Sequence, residues 1–332
     1  MNPPVTTRSR QPRRETWSRE RLLRERAIAL GQAIDKSTMK CYNSSLNSYL
    51  TFVRLHNFPV EPTPDTLSFF TVYMCHHIEP RSVSAYLSGV CQQLEPFFPD
   101  VRKARHTPLV ERALKGCRRM RSSATKRKRA LTHSDLETVI NTFSNSTKHD
   151  DLLFVAMLLT GFFALMHLGE LTFPNDKNLR DWRKISKRSS VIMSESQYKF
   201  HLPYHKADRF FDGNHVIVRS EQFSHINPLS HFQKYLASRD SLFPASSPLW
   251  LTSRGSVPTR DFFLRRIRIF FNKDIAGQSM HAGGATSLAE NGVAPSIIQA
   301  IGRWSSDAFL IYIRKNPVLV QALLFSRRVP PA

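Results

Sequence analysis

The feature that most constrains this chain is a basic interruption, where Arg118, Arg119, Arg121, Lys126, Arg127, Lys128 and Arg129 surround Ser122, Ser123 and Thr125. Apolar residues recur at helical spacing before it and resume after it, whereas so dense a run of like charge cannot be buried in a core. With 332 residues, 41% of them hydrophobic, there is apolar material for a core on either side. The expected order is a basic flexible arm (1–30), a small helical domain (31–121), a basic linker (122–130) and a larger domain (131–332).

The arm is predicted from Arg8, Arg10, Arg13, Arg14, Arg19, Arg21, Arg24 and Arg26 among prolines and polar residues. In the first domain, Tyr42, Leu46, Tyr49, Leu50 and Val53 lie at helical spacing. Thr63, Pro64 and Asp65 then open a helix holding Leu67, Phe70 and Met74, and Pro80 opens one holding Val83, Leu87, Val90 and Leu94. A fourth helix is predicted from about Pro108 to Cys117. After the linker, Thr132 and Asp135 stand at capping-box spacing, and an apolar helix is predicted from Asp151 to about Met166. Short alternating runs at Val191 to Met193, Phe200 to Leu202 and Val216 to Val218 predict a small antiparallel sheet. Helical patterns return after Pro228. The fold class is therefore mainly α, with a mixed α+β second domain.

The balance of 48 Lys and Arg against 26 Asp and Glu, a formal charge of +22, matches a polyphosphate partner. Nucleic acid is expected, and double-stranded DNA in particular once the resemblance below is considered. A membrane surface fits less well, because the basic residues run along the whole chain and no basic amphipathic stretch stands apart. Cys41, Cys75, Cys91 and Cys117 fit no zinc template and are read as reduced core residues. Neither a metal nor a small-molecule cofactor is expected. The first thirty residues lack the apolar segment of a signal peptide, and Lys126 to Arg129 can serve as a nuclear-localisation patch, so an intracellular, nuclear location is expected.

Several segments of the second domain, in order, carry a resemblance. They are TGFFALMHLGEL at 160–171, the stretch around Lys206, GQSMHAGGATSLAENGV at 277–293, IQAIGRWSS at 298–306 and IYIR at 311–314. Together they resemble the catalytic boxes of the tyrosine recombinases (phage integrase family), of the Cre-like kind carried by fungal mobile elements such as Cryptons. The helical domain and basic linker resemble that family's core-binding, SAM-like region. The resemblance implies DNA integration or recombination, in which a tyrosine attacks a phosphodiester to give a 3′-phosphotyrosine. It also implies assembly as a homo-oligomer on DNA, with the apolar segment 317–325 forming an amphipathic helix that docks on a neighbouring subunit or folds back in cis.

Carried over residue by residue, the resemblance makes Tyr312 the nucleophile and Lys206 the general acid. Trp304 completes the phosphate cradle, and Glu170 orients the residue three positions before it. Arg118, Arg119, Arg121, Lys126, Arg127, Lys128, Arg129 and Arg303 are expected to contact DNA. This sequence departs from the family where its two arginines would stand. His167 and His281 occupy those positions, Gln278 replaces an intervening histidine, and Trp304 precedes Tyr312 by eight residues. An imidazole offers no bidentate fork and is mostly neutral near pH 7, so impaired catalysis is expected, or DNA binding and regulation without chemistry.

Overall fold

The computed structural model describes residues 14–123, 128–205, 208, 210–220 and 226–304. The chain divides into two compact units, Met1–Thr125 and Lys126–Ala332.

Every regular element among the described residues of the first unit is a helix. Helix α1 (Arg19–Gln32) occupies part of the expected arm and buries none of its residues. Ser18 caps it and its run of Arg, Glu, Leu and Ala favours helix without any tertiary support, which is why the arm expected to residue 30 is helical from Arg19. Helices α2 (Lys36–Leu55), α3 (Pro64–His77) and α4 (Pro80–Leu94) follow, then a five-residue α5 (Val101–Arg105) and α6 (Pro108–Arg121). Proline at the first turn of α3, α4 and α6 fixes each start where the missing N–H is no loss. Tyr49, Phe52, Leu67, Phe70, Val83, Leu87 and Val90 form the core. Helix α6 turns Val110 and Cys117 toward that core and leaves Arg118, Arg119 and Arg121 exposed in its last turns. Cys75, Cys91 and Cys117 are buried free thiols as the sequence suggests, but Cys41 lies exposed on the outer face of α2.

The second unit begins with α7 (His133–Phe143), where Thr132 and Asp135 close the predicted capping box through bonds of 3.2 and 2.8 Å. Helix α8 (His149–Phe163) is buried on nearly every side and forms the spine of the core. It stops at Phe163, short of the expected Met166, because Leu165 adopts a left-handed backbone with φ of 49°. Helix α9 (Leu168–Leu171) is one turn, followed by three short 3-10 turns between Lys177 and Ser190. Strands β1 (Ile192–Met193), β2 (Gln197–Leu202) and β3 (Asn214–Arg219) form an antiparallel sheet in that order. Tyr198, Phe200 and Leu202 point inward from β2 with the expected alternation. Helices α10 (Pro228–Leu242), α11 (Arg260–Phe270), α12 (Gln278–Glu290) and α13 (Pro295–Ile301) complete the unit.

The contact of α12 with α8 positions the site. A β-carbon at Gly284 would strike the Phe162 carbonyl, and one at Gly283 would strike the Leu131 carbonyl. Glycine at 284 lets α12 close on α8, and glycine at 283 lets it close on the segment before α7. That approach draws His281, one turn earlier on α12, into full burial.

Candidate active site

His167 caps α9 at the turn after α8, and its ring stacks on that of His281 with centroids 4.1 Å apart. Trp304, just past α13, sets its ring edge-on to His281 at 4.3 Å and packs on the small cluster of Leu165, Ala285, Ala289 and Ile298. Three residues expected to share a site are therefore in one cluster, drawn from three separate elements.

Beneath the cluster lies a buried ion pair. Glu170 accepts the backbone N–H of His167 at 3.1 Å, and Arg303 donates to the same carboxylate oxygen at 3.0 Å. The two side chains are 7% and 10% exposed, so the pair has left bulk water. Arg303 also donates to the carbonyls of Leu165 at 3.1 Å and Ile301 at 3.1 Å. These bonds hold Arg303 in a left-handed backbone with φ of 56°, a conformation that costs a non-glycine residue of order 1 kcal/mol. Glu170 thus takes its cation from Arg303, 133 positions along the chain, while its neighbour His167 offers the backbone N–H.

The electrostatics follow from this packing. Burial holds the His281 imidazole far below its usual range, down to about 2, and His167 and Arg303 push in the same direction. His205, near the end of β2, is also lowered, first by burial and then by Arg303, against the opposing pull of Asp208. Burial raises the Glu170 carboxyl, and Arg303 opposes that rise.

The connection from β2 to β3 is built around two residues that sequence reasoning did not single out. His205 is hydrogen-bonded to Asn214 at 2.8 Å, with Asn214 at the first position of β3. Asp208 accepts the backbone N–H groups of Phe210, Asp212 and Gly213 at 3.1, 3.2 and 2.8 Å. An aspartate five positions before a glycine is a weak loop signal, so only the folded connection discloses its role.

Gln278 is exposed at the first position of α12. Lys128 and Arg129 are exposed but engaged within the second unit. Lys128 donates to the Lys273 carbonyl at 2.5 Å, and Arg129 binds Asp135 at 2.6 and 3.1 Å and Asp274 at 3.4 Å. Tyr312, Lys206, Lys126, Arg127 and the segment 317–325 lie outside the described residues. Among the described residues no cluster of His, Cys, Asp or Glu could hold a metal ion, and no helix is long and apolar enough to cross a membrane.

No protein-family model matches the sequence, and no curated protein matches it. Solved structures do match in three dimensions. The integrase of the Tn1549 transposon, in complex with transposon right end DNA, is 14% identical, with 93% of this chain and 99% of that one covered and a TM-score of 0.58. The XerH site-specific recombinase bound to difH substrate is 14% identical over 88% of this chain and 79% of its own, with a TM-score of 0.55. A lambda integrase dimer bound to a COC′ core site is 14% identical over 88% and 93%, with a TM-score of 0.54. The mainly helical architecture with its three-stranded antiparallel sheet is the fold of the tyrosine recombinases and integrases.

Proposed function

We propose that this chain is a DNA-binding protein of the tyrosine-recombinase type that acts in DNA integration or recombination, with strand cleavage impaired. Tyr312 is the nucleophile, Lys206 the general acid, and Trp304 and Glu170 support the phosphate site. The observation that carries this reading is the His167, His281 and Trp304 cluster over the Arg303–Glu170 pair, within that fold.

The same cluster is the reason for impairment. A phosphoryl-transfer transition state spreads negative charge over its oxygens, and fixed cationic forks stabilise it best. Here two imidazoles stand instead, and His281 is fully buried and neutral through the physiological range. Loss of one such donor lowers the rate by about 10²–10³, and groups that grip one phosphate act as a unit. Binding and regulation without chemistry is the second reading, favoured by that neutral, enclosed imidazole.

Each Arg-to-His change is a single-base transition, which fits descent from the recombinase of a mobile element, Cre-like and akin to Cryptons. The basic patch from Lys126 to Arg129 suits nuclear import, and assembly on DNA as a homo-oligomer through the segment 317–325 belongs to the same reading.

A trapping assay with nicked suicide duplexes tests the proposal. The unmodified protein binds duplex but forms no covalent adduct at neutral pH, while His167→Arg with His281→Arg yields an adduct that Tyr312→Phe abolishes. Thermal unfolding is followed in parallel, because position 281 is enclosed. Robust cleavage by the unmodified protein sinks the impairment. A folded double variant that binds DNA without cleaving shifts the cause to Gln278 or to the spacing between Trp304 and Tyr312.

A further inference from the structure

We infer that Trp182 and Phe210 form an aromatic platform that seats unpaired nucleotides of a DNA strand. The inference rests on the DNA-binding reading above and adds a surface to it. Phe210 is 85% exposed and Trp182 is 67% exposed. A single exposed apolar ring is ordinary, but these two flank one interleaved cluster of rings and cations. The Arg183 guanidinium lies 4.8 Å over the Phe211 ring, and the Lys184 ammonium lies 4.1 Å over Tyr204. Tyr204 and Phe211 are themselves 5.2 Å apart. Trp182 precedes Arg183 and Phe210 precedes Phe211 in the chain, so each open ring lies one residue from the same contact.

The cluster is held in place rather than merely exposed. Asp181 accepts Arg183 Nη2 at 2.8 Å and Nε at 3.1 Å, which fixes the guanidinium plane. The Asp208 carboxylate takes the Phe210 N–H, and Phe211 sits in the left-handed region with φ of 63°. Trp182 is anchored edge-on against Phe173 at 5.1 Å, leaving most of its surface in water. A ring anchored as Trp182 is, and a backbone held as that of Phe210 is, lose little further entropy on binding.

The partner follows from the chemistry. Ring faces beside permanent cations complement a base beside its phosphate, and exposed Lys177 and Lys187 on the same segment add positive charge. An acidic peptide would meet the cations but leave the ring faces wet. Base faces are open to stacking only where a strand is unpaired, so the platform selects locally open DNA over a closed duplex.

The test compares the full-length protein on a fully paired duplex and on the same duplex carrying a short unpaired stretch, at fixed salt. Trp182→Ala and Phe210→Ala are each expected to weaken binding to the opened duplex by about tenfold, and to the paired duplex by less than about twofold. Trp182→Phe and Phe210→Tyr restore the affinity. Opened duplex quenches tryptophan emission in the unmodified protein, and Trp182→Phe removes that quenching. Unchanged binding of both alanine variants to opened DNA overturns the inference. So does an equal loss on both DNAs, or a change in oligomeric state without DNA, which would assign the rings to a second copy of the chain. Failure of the unmodified protein to bind either DNA would instead overturn the DNA-binding reading on which the inference stands.

Discussion

The end of α6 and the residues just past α13 both carry arginine, and they use it in opposite ways. Arg118, Arg119 and Arg121 stand in water along one turn of an amphipathic helix. Arg303 is nine-tenths buried, paired to Glu170 and bonded to backbone carbonyls. Arg239 goes further, with no exposure and donors directed at the Phe243, Ser246 and Pro248 carbonyls. The whole chain's formal charge of +22 therefore overstates the charge left open to a polyanion, because several guanidiniums of the second unit knit the fold. Net charge predicts the class of partner; burial decides which cations are available to it.

The largest expected effect is on the buried side of this comparison. Arg303→Met leaves the Glu170 carboxylate enclosed without its cation, and loss of one partner of a buried pair typically costs about 3–5 kcal/mol. Urea denaturation will show that loss, and Glu170→Gln in the same background will recover part of it. A loss below about 0.5 kcal/mol, as for an exposed arginine, would break the comparison.

On the exposed side the effect is on binding. Replacing Arg118, Arg119 and Arg121 together by glutamine leaves stability within about 0.5 kcal/mol but lowers duplex affinity. If each meets one phosphate, the slope of log K against log salt becomes shallower by up to about 2.7. An unchanged slope would move the phosphate contacts elsewhere.

A smaller effect sharpens the account of the histidine cluster. His281 is held down to about 2 in the folded chain, against about 6.5 for an unfolded histidine. As pH falls below about 6.5 the unfolded chain takes a proton that the folded one refuses, so stability declines with falling pH. Between pH 7 and 5, His281→Leu should make that decline shallower by up to about 1.4 kcal/mol per pH unit. Parallel stability curves would show that the folded imidazole does take the proton.

The helices opened by Thr63–Pro64 and Pro80, the Thr132 capping box and the alternation of β2 were all legible, because each rests on contacts within a few residues. Helix α5 was not legible, since five residues are too few to display a period. Helix α1 was hidden by its charge, which reads equally well as a solvated arm. At the site, the spacing of three between His167 and Glu170 was visible, but His167 caps α9 in extended backbone and meets Glu170 through its backbone N–H rather than along a shared helical face. Nothing local to either segment links Glu170 to Arg303, or Arg183 to Phe211.

Sequence alone disclosed the strongly patterned helices and strands, the basic interruption between two apolar stretches, and histidine at positions 167 and 281. Those depend on periodicity, charge density and residue identity, which a linear string preserves. Packing alone reveals that His281 is sealed by the close approach of α12 to α8, and that Glu170 draws its cation from Arg303. Burial and pairing across more than a hundred residues are set by how helices pack, and an arginine is a solvent-exposed cation or an internal brace according to which side of that packing it meets.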